Sequence, residues 1–333
     1  MDTEKFERTK NYRGRIMPLK RRILHLIRAI LISPILIIEF ASLSGKKHSA
    51  SKYALMFLND LSNSTHGSGL EIMNKIIAVI RKKDTREFDK RVINQDLINL
   101  QKENISSSEF SSIVNQIKSN GFAKLPGFVS KDIIDEAKRV IYSSGGIAKV
   151  SKKKYTEISD WLNDENGGPR FESEMKSLNE TQLVKNFRSN VFVNRVAREI
   201  LGSSPICDSI QSWTTRAVGT IDSNTKDEAA MAFHADADYF GFLKFFVLIT
   251  KVENSNGPFA FVKGSHKKAR HVAGRMADHE ILGENDEVLL GTGNPGDVVI
   301  ACTAGWHKAT PPQEGKRTMV QFLFTSSLFG KAT

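Results

Sequence analysis

The segment Met231-Ala-Phe-His-Ala-Asp-Ala-Asp238 sets an imidazole and a carboxylate two residues apart, at His234 and Asp236. In an extended strand, residues two apart project to the same side, so both side chains can converge on one cation. Such a pair is common by chance. A second imidazole is required, because two His and one carboxylate on one face leave three metal positions open for non-haem iron oxygenase chemistry. His25, His48 and His66 fall in the N-terminal part, His266 follows a Gly-Ser turn, and His279 sits in a charged stretch. His307 is better placed: it ends the strand unit that begins Gly296-Asp297-Val-Val-Ile-Ala-Cys302, just after Gly305-Trp306, and a further strand carrying Arg317 begins ten residues later. His271, between Arg270 and Val272, is its competitor. Arg317 adds a planar fork that matches a carboxylate in a way lysine cannot. Taken singly, His307 reads as an ordinary core or surface histidine; taken with His234, Asp236 and Arg317, it reads as a ligand.

These side chains need strands to hold them. Runs rich in β-branched and aromatic residues occupy the C-terminal third: Ile206 to Val218, Leu243 to Val252, Phe259 to Val262, Val288 to Leu290, Val298 to Cys302 and Thr318 to Phe324. Turn residues such as Asn256-Gly257-Pro258 and Asn294-Pro295-Gly296-Asp297 separate them. Short strands at this spacing indicate a sandwich or jelly roll. Upstream, Ser106 to Ser108 lead into a helix through Phe110, Ile113, Val114 and Ile117. A short strand from Gly121 to Leu125 is ended by Pro126-Gly127, and Ser130 is placed to cap a second helix. Residues 51–101 show apolar positions at three- and four-residue spacing, a helical pattern with no evident chemistry.

Composition bounds the setting. The 333 residues are 40% hydrophobic and 26% charged, which excludes global disorder and a multi-span membrane protein. Two cysteines, Cys207 and Cys302, cannot build a disulfide framework, so a reducing, cytoplasmic location is expected. Of the net charge of +11, most lies in residues 1–50, which carry eleven Lys/Arg against four Asp/Glu. Arg13, Arg15, Lys20, Arg21 and Arg22 precede an apolar stretch whose longest piece, Ala29 to Ile38, is ten residues. A bilayer needs roughly 20. The segment suits either a helix packed on the main domain or peripheral contact with an anionic membrane surface. Basic residues confined to a terminus, without interleaved aromatics, give no reason to expect nucleic-acid binding.

The ordered set Gly121-Phe122, Leu125-Pro-Gly-Phe128, Phe233-His234-Ala-Asp236, Asn256-Gly257-Pro258, Gly264-Ser265-His266-Lys267, Gly296-Asp297, His307 and Arg317 resembles the phytanoyl-CoA dioxygenase family of Fe(II)- and 2-oxoglutarate-dependent oxygenases. The likeness covers about residues 105–330, so the chain divides into a basic, helical extension at 1–104 and a dioxygenase domain at 105–330. It implies an α+β domain with a double-stranded β-helix (a cupin-like jelly roll) flanked by helices.

The resemblance also implies Fe(II) held by His234, Asp236 and His307, with 2-oxoglutarate and O2 as cosubstrates. Arg317 would take the distal carboxylate of 2-oxoglutarate, and Phe246 would lie beside it. Many relatives carry Ser two residues after the distal His; this chain has Ala309, with Thr310 next to it as the available hydroxyl. Asp236 stands where halide-using relatives have Ala, which implies hydroxylation. His266 is implied to be a turn residue, and Asp238 to position its loop. The basic residues Lys263, Lys267, Lys268, Arg270 and Arg275 follow a segment that borders the active-site mouth in the family. They point to a small anionic substrate such as a lipid-linked or phosphorylated sugar or an acyl-CoA. The competing expectation is a catalytically silent jelly-roll binding protein with a vestigial metal site.

Overall fold

The computed structural model describes residues 106–236, 239, 241–267 and 275–326, with Ile23, Ile27, Leu61, Met73 and Lys75 as isolated positions. The expectations for residues 1–104, including membrane contact by residues 1–45, and those for Asp238, Lys268, Arg270 and His271 lie outside the described residues. No helix among the described residues is long and apolar enough to cross a membrane.

The architecture is two facing antiparallel sheets with helices packed behind the larger. An eight-stranded sheet runs in the order β1 (Phe122–Leu125), β9 (Val298–Ala301), β6 (Phe242–Leu248), β11 (Lys316–Thr325), β5 (Ile206–Arg216), β4 (Arg170–Ser173), β2 (Gly146–Ala148) and β3 (Lys154–Tyr155). A three-stranded sheet has the order β10 (His307–Ala309), β7 (Phe259–Val262), β8 (Val288–Leu290). This is the cupin-like, double-stranded β-helix architecture within an α+β domain.

The central strands read as continuous apolar runs because both faces of the large sheet are covered. On β6, Leu243, Phe245 and Val247 join Val320, Phe322 and Phe324 of β11 in a core shared with the helices, whereas Phe246, Leu248 and Met319 pack with Phe259 and Phe261 of the small sheet. Strand alternation thus divides one sequence between two environments. The covering helices are α1 (Ser107–Asn120), α2 (Lys131–Tyr142), α3 (Ile158–Asn163), α4 (Met175–Leu178), α5 (Gln182–Ser189) and α6 (Val191–Leu201). Phe187 of α5 stacks on Phe322 at 4.3 Å between ring centroids and so ties a helix to the sheet. The α1 start is set by a reciprocal box, in which the Ser106 hydroxyl accepts from the Glu109 amide and the Glu109 carboxylate accepts from the Ser106 amide. Ser130 does stand at the N-cap of α2, but its side chain makes no capping bond there.

Strands β2 to β4 were not apparent in the sequence, yet β4 forms a wall of the central cavity. Its approach is fixed by Arg216, whose Nη1 donates to the carbonyls of Trp161 (2.7 Å) and Leu162 (2.8 Å), whose Nη2 donates to the Asp164 carbonyl and whose Nε donates to Gly168 (3.2 Å). The guanidinium also lies over the Trp161 ring. Arg216→Met keeps the bulk and removes every one of these bonds. Loss of hydrogen bonds to a charged group should lower unfolding free energy by about 2–3 kcal/mol, seen as a lower urea midpoint with unchanged slope. An unaltered midpoint would mean that the loop is held by packing alone.

Candidate metal centre and cosubstrate pocket

His234 and His307 form an antiparallel bridge in which each backbone amide donates to the other residue's carbonyl, both at 2.9 Å. Their imidazoles are therefore neighbours, with ring centroids 4.2 Å apart. The Asp236 amide donates to the Thr303 carbonyl (2.9 Å), which holds the third residue against the same turn. One ligand atom from each of His234, Asp236 and His307 can be chosen so that all lie within 4.8 Å of one another. Asp236 Oδ2 is 3.4 Å from His307 Nε2, and Oδ1 is 3.8 Å from His234 Nε2.

The ring nitrogens are already assigned roles by their other contacts. His234 Nδ1 lies 3.0 Å from the Ala232 carbonyl and His307 Nδ1 lies 2.8 Å from the Gly305 carbonyl. A carbonyl only accepts, so each Nδ1 is set to donate, and Nε2 is the ring nitrogen left nearest Asp236. This is how metal-binding histidines are usually held. Burial, reinforced by His307, drives the His234 imidazole down to about 3, although Asp236 opposes it, so the ring is neutral near pH 7. Burial alone would raise the Asp236 carboxyl. Lys244, His307 and His234 outweigh it and hold the group well below the usual carboxylate range, in its ionised form. Two imidazole nitrogens and one anionic oxygen suit a divalent iron.

His307 does not extend the β9 strand, as its sequence position had implied. It opens the separate strand β10, paired with Phe261 of β7. The Asn256-Gly257-Pro258 turn sets that pairing. Gly257 has φ +80°, and a Cβ there would sit 2.5 Å from the Thr310 carbonyl, so the close passage of the two chains requires glycine.

Arg317 is 1% exposed and belongs to the same cavity as the three ligands. Its Nε donates to Thr215 Oγ1 at 3.0 Å, while Nη1 has no hydrogen-bond partner among the described residues. Burial and the neighbouring Arg170 push the guanidinium down to about 9, and no carboxylate among the described residues relieves it. A buried, unsatisfied guanidinium N–H facing a cavity is a site for a carboxylate ligand. Phe246 lines the cavity with Phe259, their rings 4.9 Å apart. Ala309 also lines it, but the Thr310 hydroxyl donates to the Pro258 carbonyl at 2.7 Å, and Thr310 is not among the lining residues. His266 stays outside the cavity, in a short 3-10 turn (Ser265–Lys267).

Among the lining residues that had no sequence argument are Arg170 and Lys244. Arg170 lies in register with Thr215, which is in turn opposite Arg317, so the two arginines share one face of three adjacent strands. Its guanidinium covers the Trp213 ring at 4.5 Å and pairs with Glu172 at 3.1 Å. Lys244 is 8% exposed, and its Nζ lies 2.7 Å from Asp236 Oδ2. The clue to Lys244 was its spacing: it stands two residues before Phe246 on the same strand and so faces the same side. In all, the cavity is lined by five cationic side chains (Lys149, Arg170, Lys244, Arg275, Arg317) and three carboxylates (Glu172, Glu228, Asp236). Of the basic run that follows the small sheet's turn, Arg275 reaches the cavity, whereas Lys263 pairs with Glu287 at 2.6 Å.

Residues 117–318 match the sequence model of a family described as phytanoyl-CoA dioxygenase. No curated protein matches the chain. Among solved structures, similarity extends to the non-heme alpha-ketoglutarate-dependent epimerase SnoN from nogalamycin biosynthesis (13% identity, 66% of this chain and 84% of that one, TM-score 0.47). EctD from S. alaskensis with bound Fe is 16% identical over 66% of this chain and 76% of its own, with TM-score 0.47. HygX from Streptomyces hygroscopicus with nickel and 2-oxoglutarate bound is 13% identical over 64% and 86%, with TM-score 0.45.

Proposed function

Because the chain belongs to the phytanoyl-CoA dioxygenase family, whose chemistry uses Fe(II), 2-oxoglutarate and O2, we propose that it hydroxylates an unactivated C–H bond of a small anionic substrate. The observation that carries this reading is the conjunction of an intact His-Asp-His donor set with a buried arginine that lines the same cavity and has an unsatisfied Nη1. His234, Asp236 and His307 would hold Fe(II), and Arg317 would take the distal carboxylate of 2-oxoglutarate. Bound there, the iron and cosubstrates supply the oxidising power to insert one oxygen atom into a C–H bond while 2-oxoglutarate loses CO2 and becomes succinate.

The chain's own contribution is placement and exclusion. The Ala232 and Gly305 carbonyls keep both imidazoles in the tautomer that offers Nε2. Phe246 and Phe259, which line the cavity, would keep water from one side of the cosubstrate and so strengthen the charge pairing at Arg317. The anionic class of substrate follows from charge. Five cations against three carboxylates leave the cavity net positive. A divalent metal and dianionic 2-oxoglutarate cancel, so the excess faces whatever binds next.

The test is succinate release in the presence of Fe(II), O2 and 2-oxoglutarate, with panels of phosphorylated, carboxylated and neutral candidates. Stimulation above the substrate-free rate by anionic candidates, with loss of stimulation as salt rises, is the expected result. Iron and 2-oxoglutarate binding with no succinate formed from any candidate would favour a silent binding protein instead.

A further inference from the structure

We infer that Lys244 is a positioning residue that restricts Asp236 to one donor oxygen, so that three coordination positions stay open for 2-oxoglutarate and O2. The inference rests on the reading of His234, Asp236 and His307 as the iron site. An ionised carboxylate has two equivalent oxygens and can bind a metal through either or both. A chelating Asp236 would occupy four positions together with the two imidazoles, leaving two. 2-Oxoglutarate needs two for its own chelation, and O2 would then have none. Something must keep one oxygen of Asp236 engaged elsewhere.

The structure supplies that partner within hydrogen-bond range. Lys244 Nζ donates to Asp236 Oδ2 at 2.7 Å, an oxygen that also lies 3.4 Å from His307 Nε2, whereas Oδ1 lies 3.8 Å from His234 Nε2. The ammonium is confined. Its strand β6 is buried along its whole length, between β9 and β11, and the side chain lies over the Phe242 ring, 5.7 Å from its centroid. A lysine at the centre of Phe-Leu-Lys-Phe-Phe-Val-Leu is costly for folding unless its charge is answered. Here it is answered by the one carboxylate of the donor set. The charge also has a direct consequence for binding. A cation beside Asp236 weakens the electrostatic attraction of the site for a metal, so the benefit assigned to Lys244 lies in which positions remain free.

This gives a pair of effects with unlike signs, readable by anaerobic calorimetry on the full chain. In Lys244→Met, Fe(II) affinity should be equal to or higher than that of the parent protein, because a competing cation is gone and the second oxygen is free to bind. Affinity of the Fe(II)-loaded protein for 2-oxoglutarate should fall by at least about tenfold, since the cosubstrate must displace that oxygen. The visible absorption of the Co(II)-loaded variant, which responds to coordination number, should differ from the parent before 2-oxoglutarate is added and converge toward it afterwards. Lys244→Arg, which keeps a donor and a charge, should restore most of the 2-oxoglutarate affinity. A drop in Fe(II) affinity of about 10–100-fold with no separate effect on 2-oxoglutarate is what loss of ordinary outer support produces, and it would overturn the inference. So would two unchanged affinities. Failure of the parent protein itself to bind Fe(II) would refute the site reading first, before any variant is compared.

Discussion

His307→Ala should yield a folded protein that no longer retains Fe(II) through dialysis. The backbone bridge to His234 uses the amide and carbonyl of residue 307, not its side chain, so alanine leaves the strand pairing in place. What disappears is one of three donors. The two that remain, His234 Nε2 and an Asp236 carboxylate already engaged by Lys244, cannot close a face around a cation. The loss should exceed the roughly 10–100-fold that follows from removing an outer-shell partner. Metal analysis on protein with an unchanged unfolding midpoint is the measurement. Asp236→Ala should also lose the metal, but less cleanly, because it removes the carboxylate that pairs with the buried Lys244; breaking a buried pair in this way commonly costs about 3–5 kcal/mol. Full iron occupancy in His307→Ala would place the third ligand elsewhere in the chain.

Arg317→Gln should raise the 2-oxoglutarate concentration needed for half-saturation by at least about tenfold while leaving metal affinity intact. A charge-assisted contact of about 1.5–3 kcal/mol is removed, and about 1.4 kcal/mol is a factor of ten. Arg317→Lys should recover part of this, keeping the charge without the fork. Pairing with a surface acid such as Glu314 is excluded by the burial of the side chain and its bond to Thr215. The stability effect should run the other way. Arg317 is held down to about 9 by burial and by Arg170, so without cosubstrate it is a strained charge. Its replacement should not lower, and can raise, the unfolding midpoint measured in the absence of 2-oxoglutarate. Unchanged half-saturation in both variants would remove Arg317 from the cosubstrate site.

How much of this was legible in the sequence depended on burial. Strands β6, β7, β9 and β11 announced themselves because strands covered on both faces demand apolar, β-branched and aromatic side chains at successive positions. Strand β7 carries only Phe, Ala and Val, and its bounds agree with the sequence reading. Strands β2 to β4 are two to four residues long and include Lys154, Arg170 and Glu172, which by composition belong to loops. They are strands because β5 offers an edge to pair with. Strand β10 is His-Lys-Ala, with no periodicity to detect, and its pairing comes from β7 and from His234. Within the site, His234, Asp236, His307 and Arg317 could be named from spacing and resemblance. Arg170 could not, because its position depends on two cross-strand registers that no local pattern encodes. Thr310 looked like a substitute hydroxyl by adjacency alone, yet strand alternation turns Ala309 toward the cavity and Thr310 toward Pro258.

The reciprocal bridge between His234 and His307 also bears on how the site comes into being in time. The two imidazoles are brought together only when chain segments separated by strands β6 to β9 have closed on each other, a contact whose loop-closure cost is met late in assembly. A partly folded chain offers a cation isolated histidines and carboxylates, never the three together. Metal uptake during refolding should therefore lag behind the recovery of strand signal and coincide with the final compaction. Iron loading becomes a checkpoint that admits only finished molecules, and iron present during refolding should stabilise the end state without hastening the steps that lead to it.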